Sequence, residues 1–215
     1  MLLAGGLRRP AQGGDNGGPR PARPRFAHPA SNVSGTLLAR DGTPLTFARI
    51  AATDRAALQR FHAGLSAATR AVFLPHAYDD ATLARAVERD RRGHDRTYAL
   101  RSGGKIVGYF FLWEFDQPVP LLGLGLADAW QGQGLGAPML RRLLNDAHAA
   151  GCEAVELTTV LTNDRALRLY KRAGFQDVGV VDNLAGDGRI LRERRMFLAL
   201  RSGATPAPRD FKPPV

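Results

Sequence analysis

The sequence predicts an α/β fold in which helices flank a central sheet. Short stretches with strand-like alternation recur between segments that have helical spacing of apolar residues. Residues 119–127 are almost entirely apolar, as is typical of a central strand covered on both faces. Glycine turns and capping residues separate the segments. From residue 43 onward these observations predict the order β-α-α-β-β-β-α-β-α-β-β.

The ordered part of the chain is predicted to begin with one strand and two helices. Residues 45–50 alternate as in a strand. Asp54 can cap the first helix, and Asp79 or Asp80 can open the second, which Gly93 ends. The apolar stripes of these two helices are Leu58, Phe61 and Leu65 in the first, and Leu83 and Val87 in the second.

Three strands are predicted to follow. Residues 97–100 and 105–115 have strand character and are joined by a tight Ser-Gly-Gly turn, which indicates a hairpin. Residues 119–127 form the central strand. Gly123 and Gly125 within it indicate either a β-bulge or the close approach of another group.

The second half of the domain alternates between helices and strands. Residues 135–149 have the spacing of an amphipathic helix, and residues 154–160 have that of a strand. Residues 164–173 form a further helix, which stops at a glycine. Residues 175–181 and 189–199 are the two closing strands.

Composition predicts disorder at both ends of the chain. Residues 1–35 and 201–215 are rich in Gly, Pro and Arg or in Pro and Ala, with few large apolar residues to offset the entropy of ordering. We therefore expect one domain at residues 36–200, flanked by two disordered tails.

The formal charge of +10 raises the question of nucleic-acid binding. The excess of positive charge is spread between the two predicted tails and the domain, and 27 of the 30 basic residues are arginine, which indicates a compositional bias. No stretch interleaves basic and aromatic residues as single-strand binders do. We expect no specific nucleic-acid partner, although binding through the basic tails is an alternative.

A glycine-rich loop lies between the central strand and the following helix. Residues 131–136 read Gln-Gly-Gln-Gly-Leu-Gly. The first N–H groups of a helix have no partner inside it, and the helix dipole adds partial positive charge there. Gly134 and Gly136 would let a diphosphate contact the backbone, with donors from about residues 133–137. The alternative is an ordinary glycine turn that begins a helix.

A second segment, residues 163–175, follows the next strand. Ala166, Tyr170 and Ala173 share one face of its helix. Asn163 precedes the helix, where it is either a plain N-cap or a ligand contact. Tyr170 offers a hydroxyl at the tip of an apolar ring, and its ordinary role would be that of a packed aromatic residue.

These two segments together resemble the Gcn5-related N-acetyltransferase family. Gln131-x-x-Gly134-x-Gly136 is similar to the family's diphosphate loop. Asn163-x-x-Ala166, followed by Leu169-Tyr170 and Ala173-Gly174-Phe175, is similar to its second cofactor segment. The resemblance is strong over residues 104–180. It implies a mixed, largely antiparallel central sheet flanked by helices.

The resemblance also implies a cosubstrate and residue roles. The cosubstrate would be acetyl-CoA or a related acyl-CoA, with pantetheine beside the central strand and the diphosphate in the glycine loop. Tyr170 would be the general acid that protonates the departing thiolate. The implied cofactor-binding residues are Leu124, Gly125, Leu126, Gln131, Gly132, Gln133, Gly134, Leu135, Gly136, Ala137 and Asn163.

The general base stays open. The central strand has no acidic residue, so Glu114 at the end of the preceding strand is the candidate, although a solvated strand-end charge is the more ordinary interpretation. His76 and His94 lie in loops that could border the acceptor site, and an exposed loop position is equally ordinary. The amine could also arrive already deprotonated. Residues 75–80 are expected to form part of the acceptor pocket.

The resulting functional expectation is an N-acetyltransferase that moves an acetyl group from acetyl-CoA to a primary amine of a small molecule or protein, by direct attack on the thioester. The alternative is a non-catalytic acyl-CoA-binding or sensor domain.

The five histidines are isolated and Cys152 is the single cysteine, so no metal site is predicted. No apolar run is long enough for a membrane span, and we expect a cytoplasmic protein that could form a homodimer.

Overall fold

A single eight-stranded sheet forms the centre of the protein. The computed structural model describes residues 34–215, and the predicted tail at residues 1–35 lies almost wholly outside the described residues. The strands are, in chain order, Gly35–Leu38 (β1), Pro44–Arg49 (β2), Arg96–Ser102 (β3), Lys105–Trp113 (β4), Leu121–Leu126 (β5), Ala154–Val160 (β6), Gln176–Leu184 (β7) and Ile190–Ala199 (β8). They lie in the order β1-β2-β3-β4-β5-β6-β8-β7. Only the β5–β6 pair is parallel, which confirms the predicted mixed, largely antiparallel sheet.

Helices cover both faces of this sheet. They are Arg55–Ala63 (α1), Ala67–Val72 (α2), Asp80–Arg91 (α3), Gly136–Ala149 (α4) and Asp164–Arg172 (α5). One core lies beneath α4 and α5, and a second lies beneath α1 and α3. Met139, Leu143 and Ala147 recur every four residues on α4 and are completely buried, as the helical spacing predicts. Among residues 34–215, no helix is long and apolar enough to cross a bilayer.

The structure adds two elements that the sequence pattern did not predict. β1 has four residues and pairs with β2 across a turn in which Gly42 has a φ of 86°. α2 has six residues, and the Ser66 hydroxyl caps it by accepting a hydrogen bond from the Thr69 N–H. Elements this short contain too few residues for a period to be recognised.

Gly123 and Gly125 are explained by the close approach of aromatic rings. The β4–β5 register is regular along its whole length, so there is no bulge. A methyl group at Gly123 would overlap the Phe111 ring, and one at Gly125 would overlap the Phe73 ring. Both glycines therefore let aromatic side chains lie directly on the backbone of β5.

β5 and β6 meet only at their starts. Their one paired position is Leu121 with Glu156, and beyond it the two strands separate. The Ala127 N–H bonds to the Val107 carbonyl of β4, at 2.8 Å. Because backbone groups alternate along an antiparallel pair, Leu124 and Leu126 turn their N–H and C=O groups away from β4 and into the gap.

Residues 201–215 differ from the predicted disordered tail. Phe211 is only 4% exposed, and its carbonyl accepts a hydrogen bond from the Leu184 N–H at 2.9 Å. Arg209 pairs with Glu114 and bonds to the Val119 carbonyl at 3.0 Å. The segment is poor in apolar residues, but Phe211 and Arg209 find partners in distant parts of the chain, which composition alone does not reveal.

Candidate active site

The gap between β5 and β6 forms a cleft of about 600 Å³. Most of the predicted cofactor residues come together in its wall: Leu124, Gly125, Leu126, Gln131, Gly132, Gly134, Leu135, Gly136, Ala137 and Asn163. Tyr170 lines the same cleft. Gln133 is outside this wall, and its carbonyl accepts a hydrogen bond from the Arg40 N–H at 2.8 Å.

The glycine loop leads directly into the N-terminus of α4. Gly132 and Gly134 have φ angles of 79° and 81°, a left-handed conformation that favours glycine. Leu135 precedes the helix, and its side chain offers no cap to the first N–H groups. Gly136 has a different role, because a Cβ there would lie 3.2 Å from the Leu169 side chain of α5. The loop thus places uncapped backbone donors at one wall of the cleft.

Four arginines line the cleft as well, and they lie outside the cofactor-binding residues predicted from the sequence. They are Arg40, Arg165, Arg168 and Arg172. The last three are spaced i, i+3 and i+7 on α5, which places them on one helical face. That spacing was a readable signal, although the abundance of arginine in the chain obscured it. Together with the α4 N-terminus, these side chains make the cleft suited to a polyanionic ligand.

Hydrogen bonds tie α2 to the glycine loop. The Asp128 carboxylate accepts from the Ser66 N–H at 2.9 Å and from the Ser66 and Thr69 hydroxyls, each at 2.6 Å. These bonds lower the pKa of Asp128 to about 2. The Gln131 side-chain amide donates to the Thr69 hydroxyl at 2.9 Å and to the Leu126 carbonyl at 3.3 Å. Asp128 therefore holds α2 in place.

Asn163 immediately precedes α5 and Tyr170 lies within it, as expected from their positions. The Asn163 side-chain oxygen accepts from the Ala166 N–H at 3.1 Å, so this residue is an N-cap at the edge of the cleft. Tyr170 is 5% exposed and packs edge-on against Phe175. Within residues 34–215, no group hydrogen-bonds to the Tyr170 hydroxyl. Burial, and secondarily the charge of Glu193, raise the pKa of Tyr170, so the hydroxyl keeps its proton.

Glu114 is not brought together with Tyr170. It follows β4, at the end of the β4–β5 ladder where Trp113 pairs with Leu121, and it is absent from the wall of the cleft. Its backbone has a φ of 54°, and its carboxylate forms an ion pair with Arg209. This placement favours the structural interpretation of Glu114.

The predicted acceptor region also has specific structural roles. Asp79 caps α3 by accepting from the Thr82 N–H at 2.9 Å. His76 is completely buried, whereas His94 is half-buried and its Nδ1 lies 2.7 Å from the Asp116 carboxylate. Among residues 34–215, no group of three or more His, Cys, Asp or Glu side chains is arranged to hold a metal ion.

The family assignment follows from a match to a family model. Residues 58–175, more than half of the chain, match the acetyltransferase (GNAT) family. This chain therefore belongs to the GNAT family of acetyltransferases, as the two motifs predicted.

Individual relatives agree with this assignment. N-alpha-acetyltransferase RimI of Mycobacterium tuberculosis is 37% identical over 91 residues, which are 40% of this chain and 56% of that protein. The chain thus spans only about half the length of this curated relative.

Two solved structures share the fold. The structure of yncA from Salmonella typhimurium with acetyl-CoA has a TM-score of 0.60 and 20% identity, covering 76% of this chain and 98% of that one. Ribosomal-protein-S5-alanine acetyltransferase of Vibrio fischeri has a TM-score of 0.67 and 12% identity, covering 81% and 100%.

Proposed function

We propose that this protein transfers the acetyl group of acetyl-CoA to a primary amine of a small molecule or a protein. The observation that carries the proposal is the composition of one cleft. It combines uncapped N–H groups at the start of α4, a stretch of β5 that β6 does not pair with beyond Leu121 and a protonated tyrosine hydroxyl.

The residues of the cleft fit the parts of acetyl-CoA. The diphosphate suits the α4 N-terminus and the arginines on α5, which would neutralise its charge. The pantetheine amides suit the N–H and C=O groups that Leu124 and Leu126 direct into the gap. A volume of about 600 Å³ lies within the usual range of small-molecule sites.

The reaction has three chemical requirements. The attacking amine must be neutral, since an ammonium nitrogen has no free electron pair. A backbone N–H on the gap side of β5, at Leu124 or Leu126, would stabilise the negative charge that develops on the thioester oxygen. The Tyr170 hydroxyl would donate its proton to the sulfur as the carbon–sulfur bond breaks.

Replacing Tyr170 by phenylalanine tests the catalytic part of this proposal. The substitution keeps the ring and its packing against Phe175 and removes the proton donor alone. We expect kcat to fall by about 10²- to 10⁴-fold, with an unchanged dissociation constant for coenzyme A. Release of the free thiol would be measured with a panel of alkyl amines and N-terminal peptides, and coenzyme A binding by calorimetry.

Two results would contradict the proposal. If the wild-type protein binds no coenzyme A, the assignment of the cleft is wrong. If it binds coenzyme A but turns over no amine in the panel, the non-catalytic acyl-CoA-binding domain becomes the better description. A Tyr170→Phe variant with full activity would remove only the role given to the hydroxyl.

A further inference from the structure

A second, smaller cavity adjoins the cleft on the side of the β7–β8 hairpin. It measures about 80 Å³. Both cavities are lined by Val72, Phe73, Leu122, Gly123 and Thr158, so they meet where β5 begins to separate from β6. A group held in the small cavity would therefore face the same stretch of β5 as a group held in the cleft.

Glu193 of β8 lines this second cavity, and the residue is almost completely buried. The residue is 6% exposed. The Asn183 amide donates to its Oε2 at 2.8 Å and also lies 3.2 Å from the Thr158 hydroxyl. No arginine, lysine or histidine among residues 34–215 forms an ion pair with Glu193.

A neighbouring carboxylate shows what is unusual here. Glu156 on β6 is also buried, at 1% exposure, but it is paired with Arg195, whose Nε lies 3.0 Å away, and with Arg209. Burying a carboxylate is costly unless a cation or several donors compensate it. Glu193 has one amide donor where Glu156 has two guanidinium groups. This difference indicates that the partner of Glu193 is a cationic ligand.

We infer that Glu193 is the residue that binds the acceptor amine and takes its proton, and that the acceptor is a primary amine on a narrow apolar stem. This inference rests on the proposed acetyl transfer. The stem follows from the residues that line the small cavity, most of which have apolar side chains, among them Leu184, Leu191 and Trp113. Asn183 positions the carboxylate through its hydrogen bond.

The protons and electron pairs of the acetyl transfer are all accounted for with Glu193 and Tyr170 alone. The acceptor arrives as an ammonium ion and gives one proton to the Glu193 carboxylate, which frees the electron pair of nitrogen. Nitrogen bonds to the thioester carbonyl carbon, and the carbon–sulfur bond breaks with its electron pair on sulfur. Tyr170 protonates sulfur and regains a proton from the same nitrogen, which keeps one hydrogen as an amide. Glu193 then releases its proton to solvent.

The test compares Glu193→Gln with a matched control. Glutamine has the shape of glutamate and can still accept the Asn183 hydrogen bond, but it lacks the charge. Asp182→Asn removes one charge from the same hairpin at an exposed position and is the control. With the amine panel, we expect kcat/KM for the amine to fall about 100-fold or more in Glu193→Gln and to stay unchanged in Asp182→Asn. Coenzyme A affinity should be equal in all three proteins.

A binding measurement separates this inference from the proposed function. n-Hexylamine would be titrated calorimetrically into each protein saturated with coenzyme A. We expect binding to wild type and Asp182→Asn and none to Glu193→Gln.

If wild type turns over amines and Glu193→Gln keeps its activity, the inference is overturned while the proposed function stands. Wild type that binds coenzyme A but neither binds nor acetylates an amine also overturns it. If Glu193→Gln does not fold, Glu193→Asp, which shortens the carboxylate by one methylene, should show the same loss to a smaller degree, and full activity in it would contradict the inference.

Discussion

At the scale of single residues, His76 lies in a loop of the sequence, but its side chain is buried in the core. Its Nδ1 contacts the Ala77 carbonyl at 2.6 Å, and its Nε2 lies 3.0 Å from the Tyr109 hydroxyl. With Nδ1 as the donor, Nε2 is free to accept the tyrosine proton. Burial lowers the pKa of His76 to about 4, mainly because the charged ring would be desolvated.

This pKa predicts a loss of stability in mild acid. The unfolded chain protonates His76 near its ordinary pKa of 6.5, whereas the folded protein resists protonation down to about 4. The contribution is thus complete above about pH 6.5 and falls as the pH drops toward 4. Between pH 7 and pH 5, His76 should account for about 2 kcal/mol of lost unfolding free energy.

Urea denaturation of wild type and His76→Gln at both pH values measures this contribution. Other titrating groups are common to the two proteins, so the difference between them isolates the histidine. The variant should lose about 2 kcal/mol less than wild type between pH 7 and pH 5. Parallel losses would mean that His76 does not carry the acid sensitivity.

At the scale of elements, the path of β5 depends on the absence of side chains at two positions. Phe111 lies over Gly123, and Phe73, which follows α2, lies over Gly125. The contact between Phe73 and Gly125 holds the segment after α2 against β5, which borders the cleft. Asp128 and Gln131 form hydrogen bonds with the start of α2. The cleft therefore has a wall fixed by two independent sets of contacts.

A double-mutant cycle tests the contact between Phe73 and Gly125. Gly125→Ala places a methyl group where the ring lies and should destabilise the protein by about 1–3 kcal/mol. In a Phe73→Ala background most of this cost should vanish, because the clashing ring is gone. Gly123→Ala is the matched control: it clashes with Phe111, so Phe73→Ala should leave its cost unchanged. Equal relief in both cases would contradict the assigned contacts.

At the scale of the whole molecule, residues 201–215 place Phe211 in the core beneath α1 and α3. Two guanidinium groups lie over the Phe211 ring, those of Arg195 and Arg209, at 5.3 and 5.7 Å from its centre. Pro213 reaches the wall of the small cavity next to the cleft. The segment is thus part of the core and also of the surroundings of the proposed acceptor site.

Replacing Phe211 measures how much this segment stabilises the fold. Phe211→Ala removes a ring that is 4% exposed and should lower the free energy of unfolding by about 2–4 kcal/mol. Lys212→Ala, at the next position, removes a side chain that is 62% exposed and should change it by less than about 0.5 kcal/mol. Thermal unfolding would compare the two. Equal midpoints for both variants would show that the segment contributes nothing to the core.

The order of most elements and the segments that line the proposed cofactor site could be predicted because they depend on local patterns. The spacing of Met139, Leu143 and Ala147 identifies a helix wherever it packs, and a glycine loop before it exposes helix N–H groups in any fold. Tyr170 and Gly134 lie in motifs of a known family, and the family assignment is confirmed. The roles given to these residues stay predictions that the cleft supports.

The sequence by itself thus determined the class of fold, the family and the segments that meet at the cleft. Only the tertiary structure decided which acidic residue lies beside the proposed acceptor site. Glu114 is neutralised by Arg209, 95 positions away, and Glu193 is left with an amide partner from a neighbouring strand. Local composition cannot show such pairings, because the charge balance around a buried carboxylate depends on which distant side chains the folded sheet brings within a few ångströms of it.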